Sequence, residues 1–395
     1  MPFHSLRVNT IVGVIWILLT STVHAQNRPI PEGRVAPRAM APLAEWRIEN
    51  QPLLRLGPES GDRWKEFDRV IGLLRLDDGT IVVGNAGTSE LRFFDKAGVF
   101  LGKVGRPGAG PAEFRQLRLL TRDRGDIVAT DGGGRIIRFS ASRKHLGTTP
   151  AFRGGVPSLM GFLRDGAALY LETHPFNQMA RSGIVTIFGS IHRVEPSGEV
   201  QTILSQDPIS AMQGTKNGAQ PLVFQERMLR TITPTGHCSA KNTRFVVRCF
   251  DGHGKATIVI DLQRPPIPVT SEMKKAFLRA IVATPGPSEV TGEPRRRLDP
   301  LFASEFPLLA RLRASVDGEL WVEAFSMDLA LLGAGHTLTT STPTKWTVFS
   351  ADGELLATIQ LPRRFRPFEI GRDYILGVER DADDAEIATL FRIRR

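Results

Sequence analysis

The chain has no long hydrophobic run in its mature part and lacks the short motifs of several common catalytic folds. Its main apolar stretch, Ile11 to Leu19, is far shorter than the ~20 residues that a membrane-spanning helix needs. A G-x-S-x-G nucleophile elbow and a glycine-rich phosphate-binding loop are both absent. We therefore expect no transmembrane span in the mature chain, and no catalytic motif assigns a reaction.

Histidine is also scarce, and the few histidines do not cluster. After the predicted signal peptide they fall in separate turns, strands and loops, at His145, His174, His192, His237, His253 and His336. A three-histidine zinc site, the kind expected of an amidating-lyase-like propeller, is therefore not visible.

Only two cysteines occur, Cys238 and Cys249. An oxidising compartment allows them to pair, and a bridge across so short a loop would stabilise the fold by roughly 2 to 4 kcal/mol. We expect this disulfide, with a pair of buried thiols as the alternative. Together with His237 and His253, the two cysteines offer too few ligands for a clear zinc site.

The amino terminus is typical of a cleavable secretory signal. Arg7 precedes the apolar run, and small residues lead to Val23-His24-Ala25. We expect a signal peptide over residues 1–25, a flexible segment over 26–45 and a periplasmic or extracellular mature chain. No cysteine lies near the cleavage site, which argues against a lipid anchor. An uncleaved amino-terminal anchor is the alternative.

The charge balance is strongly basic. The formal charge is +10, and removing the signal with its single basic residue, Arg7, leaves +9. Because Lys and Arg are spread along the chain, the excess favours attraction to anionic surfaces, polysaccharides or acidic proteins. A scattered excess in a secreted chain gives little support to nucleic-acid binding.

Two short patterns recur in a fixed order. A turn followed by an alternating apolar strand occurs at 77–83, 123–129, 164–170 and 316–322. A strand end followed by a turn occurs at 94–98, 139–143, 194–198, 250–254 and 349–353. Repeats of this size bury their apolar faces only against neighbouring repeats. We therefore predict an all-β fold, a six-bladed β-propeller over residues 46–395.

The repeats assign four strands to most blades. In the first blade we predict strands at Val70–Leu76, Ile81–Asn85, Leu91–Asp95 and Val99–Val104. The next four blades are predicted at about 117–148, 159–204, 222–262 and 308–361. The last blade, Phe368 to Ile393, is one strand short, and we expect the segment Trp46–Leu56 to complete it and leave no long exposed edge.

A helical insertion is predicted at about 266–306, between blades four and five. Thr270-Ser271-Glu272 forms a helix cap, and Met273, Ala276, Phe277 and Ala280 follow with helical spacing. Its basic residues could draw an anionic ligand toward the central opening, or could simply keep the helix soluble. These residues are Lys274, Lys275, Arg279 and Arg295 to Arg297.

The segment Gly105 to Phe114 resembles the G-x-x-G-x-G-P-x-E-F connector of bacterial secreted six-bladed β-propeller proteins of the NHL-like kind. Later segments are similar to the same family in order, at 250–255, 268–270, 346–349 and 374–378. The resemblance covers most of the mature chain and implies the fold, but related propellers include both enzymes and binding modules. The chain departs from the repeat at Arg143, where glycine is usual. Within the connector we expect Glu113 to bond loop amides and Phe114 to pack between blades.

Polar residues at or just after the second strands are expected on one face near the axis. They are Asn85, Asp131, His174, Glu323 and Glu379, and we add Arg106 of the connector as a ligand-binding candidate. Oxygen ligands from Asn85, Asp131, Glu323 and Glu379 suit calcium or magnesium, which could polarise an ester or lactone carbonyl as in gluconolactonase-like propellers. The alternative is that strand ends are polar because they reach solvent.

These observations favour a non-catalytic binding scaffold for a protein, peptide or glycan. The competing hypothesis is a divalent-cation-dependent hydrolase or lyase with its site at the central opening.

Overall fold

Short antiparallel strands make up most of the computed structural model of the protein. The structure describes residues 34–35, 43–58, 61–150, 158–174, 183–215, 218–283, 301–327 and 342–395. All of them belong to one compact unit, Glu32–Arg395. The predicted signal peptide at 1–25, the arginines at 295–297 and His336 lie outside the described residues.

Three short strands precede two four-stranded sheets whose strands follow one another in chain order. The short strands are β1 (Arg34–Val35), β2 (Ala44–Ile48) and β3 (Leu54–Leu56). The first sheet contains β4 (Val70–Arg75), β5 (Ile81–Asn85), β6 (Glu90–Phe94) and β7 (Phe100–Val104). The second contains β8 (Leu117–Asp123), β9 (Asp126–Asp131), β10 (Ile136–Phe139) and β11 (His145–Thr149). The first-sheet strands agree with the prediction to within one residue at each end.

The third sheet carries a long hairpin. Its strands are β12 (Ser158–Phe162), β13 (Ala168–Thr173), β14 (Gly183–Val194), β15 (Val200–Thr215) and β16 (Gly218–Gln220). The prediction that this blade finishes near Leu204 is wrong, because β15 continues to Thr215. Register shifts between β14 and β15 absorb the irregular sequence around Pro208 and keep the two strands paired beyond the end of β13.

The fourth sheet contains β17 (Met228–Thr233), β18 (Gly236–Lys241), β19 (Val246–Asp251) and β20 (Ala256–Asp261). In addition, β1 pairs with β20 in parallel. The sequence placed Gly236-His237-Cys238 in a turn region, which is wrong, since these residues open β18. Their strand propensity is low, but pairing on both sides with β17 and β19 holds them in the sheet.

A single α-helix is present among the described residues. It is α1 (Ser271–Ala283), and it lies between the paired short strands β21 (Ile267–Pro268) and β22 (Glu305–Phe306). The Thr270 hydroxyl accepts a hydrogen bond from the Met273 amide, as the predicted cap requires. The helix rests on an aromatic cluster that includes Phe224, Phe277 and Phe302. No described helix is long and apolar enough to cross a membrane.

The remaining strands form one continuous hydrogen-bonded path. They are β23 (Leu309–Ala314), β24 (Leu320–Ala324), β25 (Thr344–Phe349), β26 (Leu355–Leu361), β27 (Phe365–Ile370), β28 (Tyr374–Arg380) and β29 (Glu386–Arg394). Strand β3 pairs antiparallel with β29, which supplies the fourth strand that the segment Trp46–Leu56 was expected to give. Strand β2 pairs with both β26 and β29 and so joins the two sheets.

The recurring phenylalanine of the second sequence pattern has one structural role. In three sheets it ends the third strand and in a fourth it is the last residue but one, and in all four the register to the fourth strand shifts beside it. Phe94, Phe139 and Phe349 are fully buried, whereas Phe250 is half-buried. The shift lets the third strand end with its ring directed into the apolar space between sheets.

Neighbouring sheets contact each other near the start or end of their first strands. These contacts join Arg366 to the Val70 carbonyl (2.8 Å), Arg122 to the Arg75 carbonyl (2.8 Å), the Ala314 amide to the Thr231 hydroxyl (3.0 Å), and the Val316 amide to the Ile370 carbonyl (2.9 Å). The result is an all-β, propeller-like and nearly closed arrangement in which the first strands face a common central opening.

Candidate functional site

A bulge recurs in the first strand of five sheets. In each case one residue has no partner on the second strand, and these residues are Ile71, Arg118, Met160, Ala310 and Phe368. None of the five is buried, although most of the residues beside them are. Bulges redirect side chains and are frequent next to functional sites. Of the five, Met160 and Ala310 line a cavity among the first strands, whereas Ile71 and Phe368 pack against apolar clusters.

A cavity of about 340 Å³ lies between the first strands of the third, fourth and fifth sheets. Its apolar wall includes Met160, Leu229 and Ile232, and its polar wall includes Arg230, Arg311 and Arg313. Arg230 forms an ion pair with Asp207 and also donates to the Pro208 carbonyl at 2.7 Å. Asp207 thus neutralises the positive charge of Arg230. The charges of Arg311 and Arg313 are not fully neutralised.

Three arginines, Arg311, Arg313 and Arg366, form what we call the arginine cluster. Arg311 lies 3.1 Å from a carboxylate oxygen of Glu323. The Arg366 and Arg313 guanidinium carbons lie 4.6 and 5.9 Å from the centre of the Phe368 ring. Among the described residues, Arg313 forms no ion pair with a carboxylate.

The charges of the arginine cluster repel one another. Burial lowers the pKa of Arg313 to about 10, and repulsion by Arg311 and Arg366 acts in the same direction. Burial also lowers the pKa of Arg366, which nevertheless remains open to solvent within the opening. A guanidinium that is crowded by protein and repelled by neighbouring cations is stabilised by any anion that reaches it.

Glu323 is the carboxylate next to the arginine cluster, and it is fully buried at the end of β24. Burial raises its pKa, although Arg311 and Arg313 oppose that effect. Glu386 also acts on Arg366, but it already binds Arg380 (2.6 Å) and the Val70 amide (2.7 Å). Among the described residues, the nearby carboxylates are Glu323, which attracts both Arg311 and Arg313, and Glu386, which is bound elsewhere, and they do not balance the three arginines.

A second polar network occupies the opposite ends of the first strands. Glu369 accepts hydrogen bonds from the Tyr374 hydroxyl (2.6 Å), the Arg122 guanidinium (2.6 Å) and the Arg75 amide (3.1 Å). Burial, followed by the charge of Glu369, raises the pKa of Tyr374. Every charge in this network has a partner, so it holds β4, β8 and β27 together.

The residues predicted as cation ligands each have separate local partners. Asn85 accepts the Asp68 amide at 2.8 Å and donates to Thr88 at 2.9 Å. Asp131 accepts the Gly133 and Arg135 amides at 3.0 Å and forms an ion pair with the Arg135 side chain. Asp131 lies inside this network, which keeps its pKa low despite burial.

The other predicted site residues are also engaged locally. Glu379 binds Arg55 (2.8 Å) and Thr389 (2.9 Å), and His174 lies 2.8 Å from the Ser190 hydroxyl. Within the described part of the chain, no group of three or more His, Cys, Asp or Glu residues is arranged to hold a metal ion. The divalent-cation site at Asn85, Asp131, Glu323 and Glu379 stays a prediction.

Arg106 lies in the connector between β7 and β8. Its exposed guanidinium donates to Glu113 at 2.7 Å, and Glu113 also accepts the Gly110 amide at 2.7 Å. These bonds, the Gly110 amide first, lower the pKa of Glu113. Phe114 is fully buried. The geometry gives the connector the structural role that its sequence suggests and leaves Arg106 with a partner.

Cys238 and Cys249 form a disulfide between directly opposed positions of β18 and β19. Both are buried, and together with Thr257 and Ile258 they line a cavity of about 230 Å³ between the fourth and fifth sheets. This cavity carries no cluster of charged groups comparable to the central one.

The arginine cluster cannot be recognised from the sequence patterns alone. One signal was present, because Arg311 and Arg313 alternate with apolar residues inside a predicted first strand. Side chains at positions i and i+2 of a strand share a face. Which face looks into the opening depends on the bulge at Ala310, and register shifts of this kind cannot be read from composition.

No family model matches the chain, and no curated protein matches it. Its fold is similar to that of a member of the duf4221 family from Bacteroides vulgatus, with a TM-score of 0.50, 10% identity, and coverage of 89% of this chain and 99% of the other. Virginiamycin B lyase from Staphylococcus aureus gives a TM-score of 0.38, 13% identity and coverage of 80% and 78%. The calcium-binding protein regucalcin from Agrobacterium tumefaciens gives a TM-score of 0.38 and 12% identity, with coverage of 88% of this chain and 96% of the other.

At such low identities the similarity concerns the fold alone. The fold and the opening define an all-β, propeller-like protein with an arginine-lined central cavity.

Proposed function

We propose that the protein is an exported, six-bladed β-propeller that acts as a non-catalytic binding protein and takes an anionic ligand at the arginine cluster. One observation carries this proposal. Arg313 lines the central cavity with no carboxylate partner among the described residues, while Arg311 and Arg366 add positive charge around it. A binding site that holds unbalanced cations before the ligand arrives is organised in advance for an anion.

The architecture supports the six-bladed arrangement of residues 46–395. Apart from the short β21–β22 pair, six sheets can be counted when the path through β2 is divided between β26 and β29, and each begins with a strand beside the opening. The signal-like pattern over residues 1–25 and the disulfide both favour an exported, oxidising location.

The ligand belongs to the classes that the sequence favoured, a protein, peptide or glycan, or to a small molecule, provided that it carries an acidic group. The cavity among the first strands of the third, fourth and fifth sheets would take the acidic group.

The cation-dependent hydrolase or lyase is the competing hypothesis, and it makes a distinct prediction. Calcium titrated into the mature protein should release heat that is lost in both Glu323→Ala and Asp131→Ala if these residues share a cation. The separate partners of Asp131, Glu379 and Asn85 lead us to expect no such heat.

The proposal is tested by calorimetric titration of the mature protein with citrate, a compact polyanion. We expect binding that weakens at least tenfold in Arg313→Gln, because the substitution removes the cation that has no carboxylate partner among the residues the structure describes. Arg392→Gln is the matched control, since Arg392 is an exposed arginine on β29, two strands away from β27. Equal citrate affinity in both variants, or no binding to the unmodified protein, contradicts the proposal.

A further inference from the structure

The central cavity combines two kinds of surface. On one side stand Arg311 and Arg313, and on the other Met160, Leu229 and Ile232. Met160 is the bulged residue of β12, and it is half-buried. A site for a free inorganic anion has no need of apolar walls, because such an anion is best held by polar donors.

Phe368 links the two surfaces. The guanidinium carbons of Arg366 and Arg313 lie 4.6 and 5.9 Å from the centre of its ring, within the range of cation–π interactions. Cations over an aromatic face keep their plane fixed, which leaves their outward N–H groups free to bind a planar acceptor. A carboxylate matches this geometry, since its two oxygens can accept two parallel hydrogen bonds from one guanidinium.

The charge of the arginine cluster and the size of the cavity further limit the chemical class of the ligand. Among the described residues, Arg311 is shared with Glu323 and Arg366 donates to the Val70 carbonyl, which leaves Arg313 as the guanidinium of the cluster without a hydrogen-bond acceptor. A single carboxylate is enough to engage that guanidinium. The cavity volume, about 340 Å³, lies at the lower end of the roughly 300–1,000 Å³ that is usual for small-molecule sites.

We propose that the ligand of the central site is an organic monocarboxylic acid with an apolar body. Its carboxylate binds Arg313, and its apolar body lies against Met160, Leu229 and Ile232. This inference rests on the proposed function, because it assigns a chemical class to the anion at the same site.

The test compares acetate, butanoate and octanoate by calorimetric titration of the mature protein, each probe below its critical micelle concentration. Each methylene that moves from water to an apolar wall improves affinity by about fourfold. We expect octanoate to bind at least tenfold more tightly than acetate. Arg313→Gln should weaken octanoate at least tenfold, whereas the Arg392→Gln control should leave it unchanged.

A second variant tests the apolar wall. Met160→Ser removes the half-buried, bulged side chain and should weaken octanoate by at least fourfold while leaving acetate unchanged. Met160→Leu keeps an apolar side chain and should restore octanoate affinity. If Met160→Ser does not fold, the comparison is made between Met160→Leu and the unmodified protein, and the inference then requires equal octanoate affinity.

The outcomes separate this inference from the proposal on which it rests. If citrate binds through Arg313 but octanoate binds no more tightly than acetate, the ligand is an anion without an apolar body and the inference is overturned. If octanoate binds equally well to Arg313→Gln, it binds elsewhere, and the inference is again overturned. If neither citrate nor any carboxylate binds, the proposed function itself fails.

Discussion

His237 is fully buried in β18, where its ring stacks on Phe250 with 5.0 Å between ring centres. Neither ring nitrogen has a hydrogen-bond partner within the described structure. Burial lowers the pKa of His237 to about 4, and the positive charge of Arg230 acts in the same direction, against the weaker opposing effect of Asp251. The imidazole is therefore held in its neutral form at neutral pH.

The burial of His237 predicts that acid destabilises the folded protein through this residue. Above pH 6.5 His237 is neutral in both states and contributes nothing. As pH falls from 6.5 toward 4, His237 becomes protonated in the unfolded chain but stays neutral in the folded protein. The free energy of unfolding therefore falls by up to about 3 kcal/mol. Urea unfolding at pH 7, 5 and 4 should show this loss in the unmodified protein and a smaller loss in His237→Leu.

The exposed residue His253 provides the control for that experiment. His253→Leu should keep the acid sensitivity of the unmodified protein. If His237→Leu loses stability with falling pH as steeply as His253→Leu does, His237 is not the group responsible.

At the scale of residues, the sequence predicted that polar side chains stand at strand ends, but it did not predict which groups these side chains contact. Asp131 and Glu379 stand at strand ends, as expected, yet backbone amides or neighbouring arginines occupy their oxygens. The partners of Glu379 include Arg55, which is far away in the sequence. Such pairs arise only when distant segments meet, so single-sequence reasoning had no access to them.

The first strands approach one another so closely that some positions have no room for a side chain. A Cβ atom on Gly72 of β4 would lie 2.6 Å from the Leu120 Cβ atom of β8. The backbone of Gly72 is in an ordinary conformation, because it is not among the glycines with positive φ. Glycine is therefore required at position 72 because β4 and β8 lie so close together, and not because the backbone adopts a conformation that favours glycine.

We predict that Gly72→Ala destabilises the protein by about 1 to 3 kcal/mol, because β4 and β8 must separate to admit the methyl group. Gly147→Ala is the matched control, since Gly147 also lies in a strand, β11, but faces open space. It should change the free energy of unfolding by less than about 1 kcal/mol. Chemical denaturation measures both values, and equal destabilisation would contradict the role assigned to Gly72.

At the scale of elements, alternating apolar residues next to glycine turns predicted most strands of the first, second and last sheets. The prediction failed at β18 and in the second half of β15, where neighbouring strands impose a conformation that local sequence does not favour. The bulges were also missed. A bulge depends on the register between two strands, and the sequence of one strand does not specify it.

At the scale of the whole molecule, the pairing of β3 with β29 connects segments that are far apart in the sequence. Leu56 of β3 is opposite Ala388 of β29 and packs in a core that also contains Val70, Leu73 and Ile81 of the first sheet. One short strand therefore joins the last sheet to the first. Damage at this strand should affect the stability of the entire described unit rather than that of one edge.

We predict that Leu56→Ala lowers the free energy of unfolding by about 2 to 5 kcal/mol, the usual range for a buried leucine. Leu53→Ala is the control, because Leu53 lies just before the same strand but is 47% exposed, and it should cost less than about 1 kcal/mol. Thermal unfolding should remain a single transition in Leu56→Ala and move to lower temperature. Two separate transitions would instead mean that the sheets unfold independently.

The pairing of β3 with β29 also constrains the order of folding. A ribosome makes β3 before β29, so the last sheet can assemble only after the strands that lie between them in the sequence have been synthesised. Until then Leu54 and Leu56 have no partner strand. Contacts between residues so distant along the chain slow the final folding step. Aggregation-prone intermediates therefore persist for longer. Such a chain gains from being kept unfolded until its synthesis is complete.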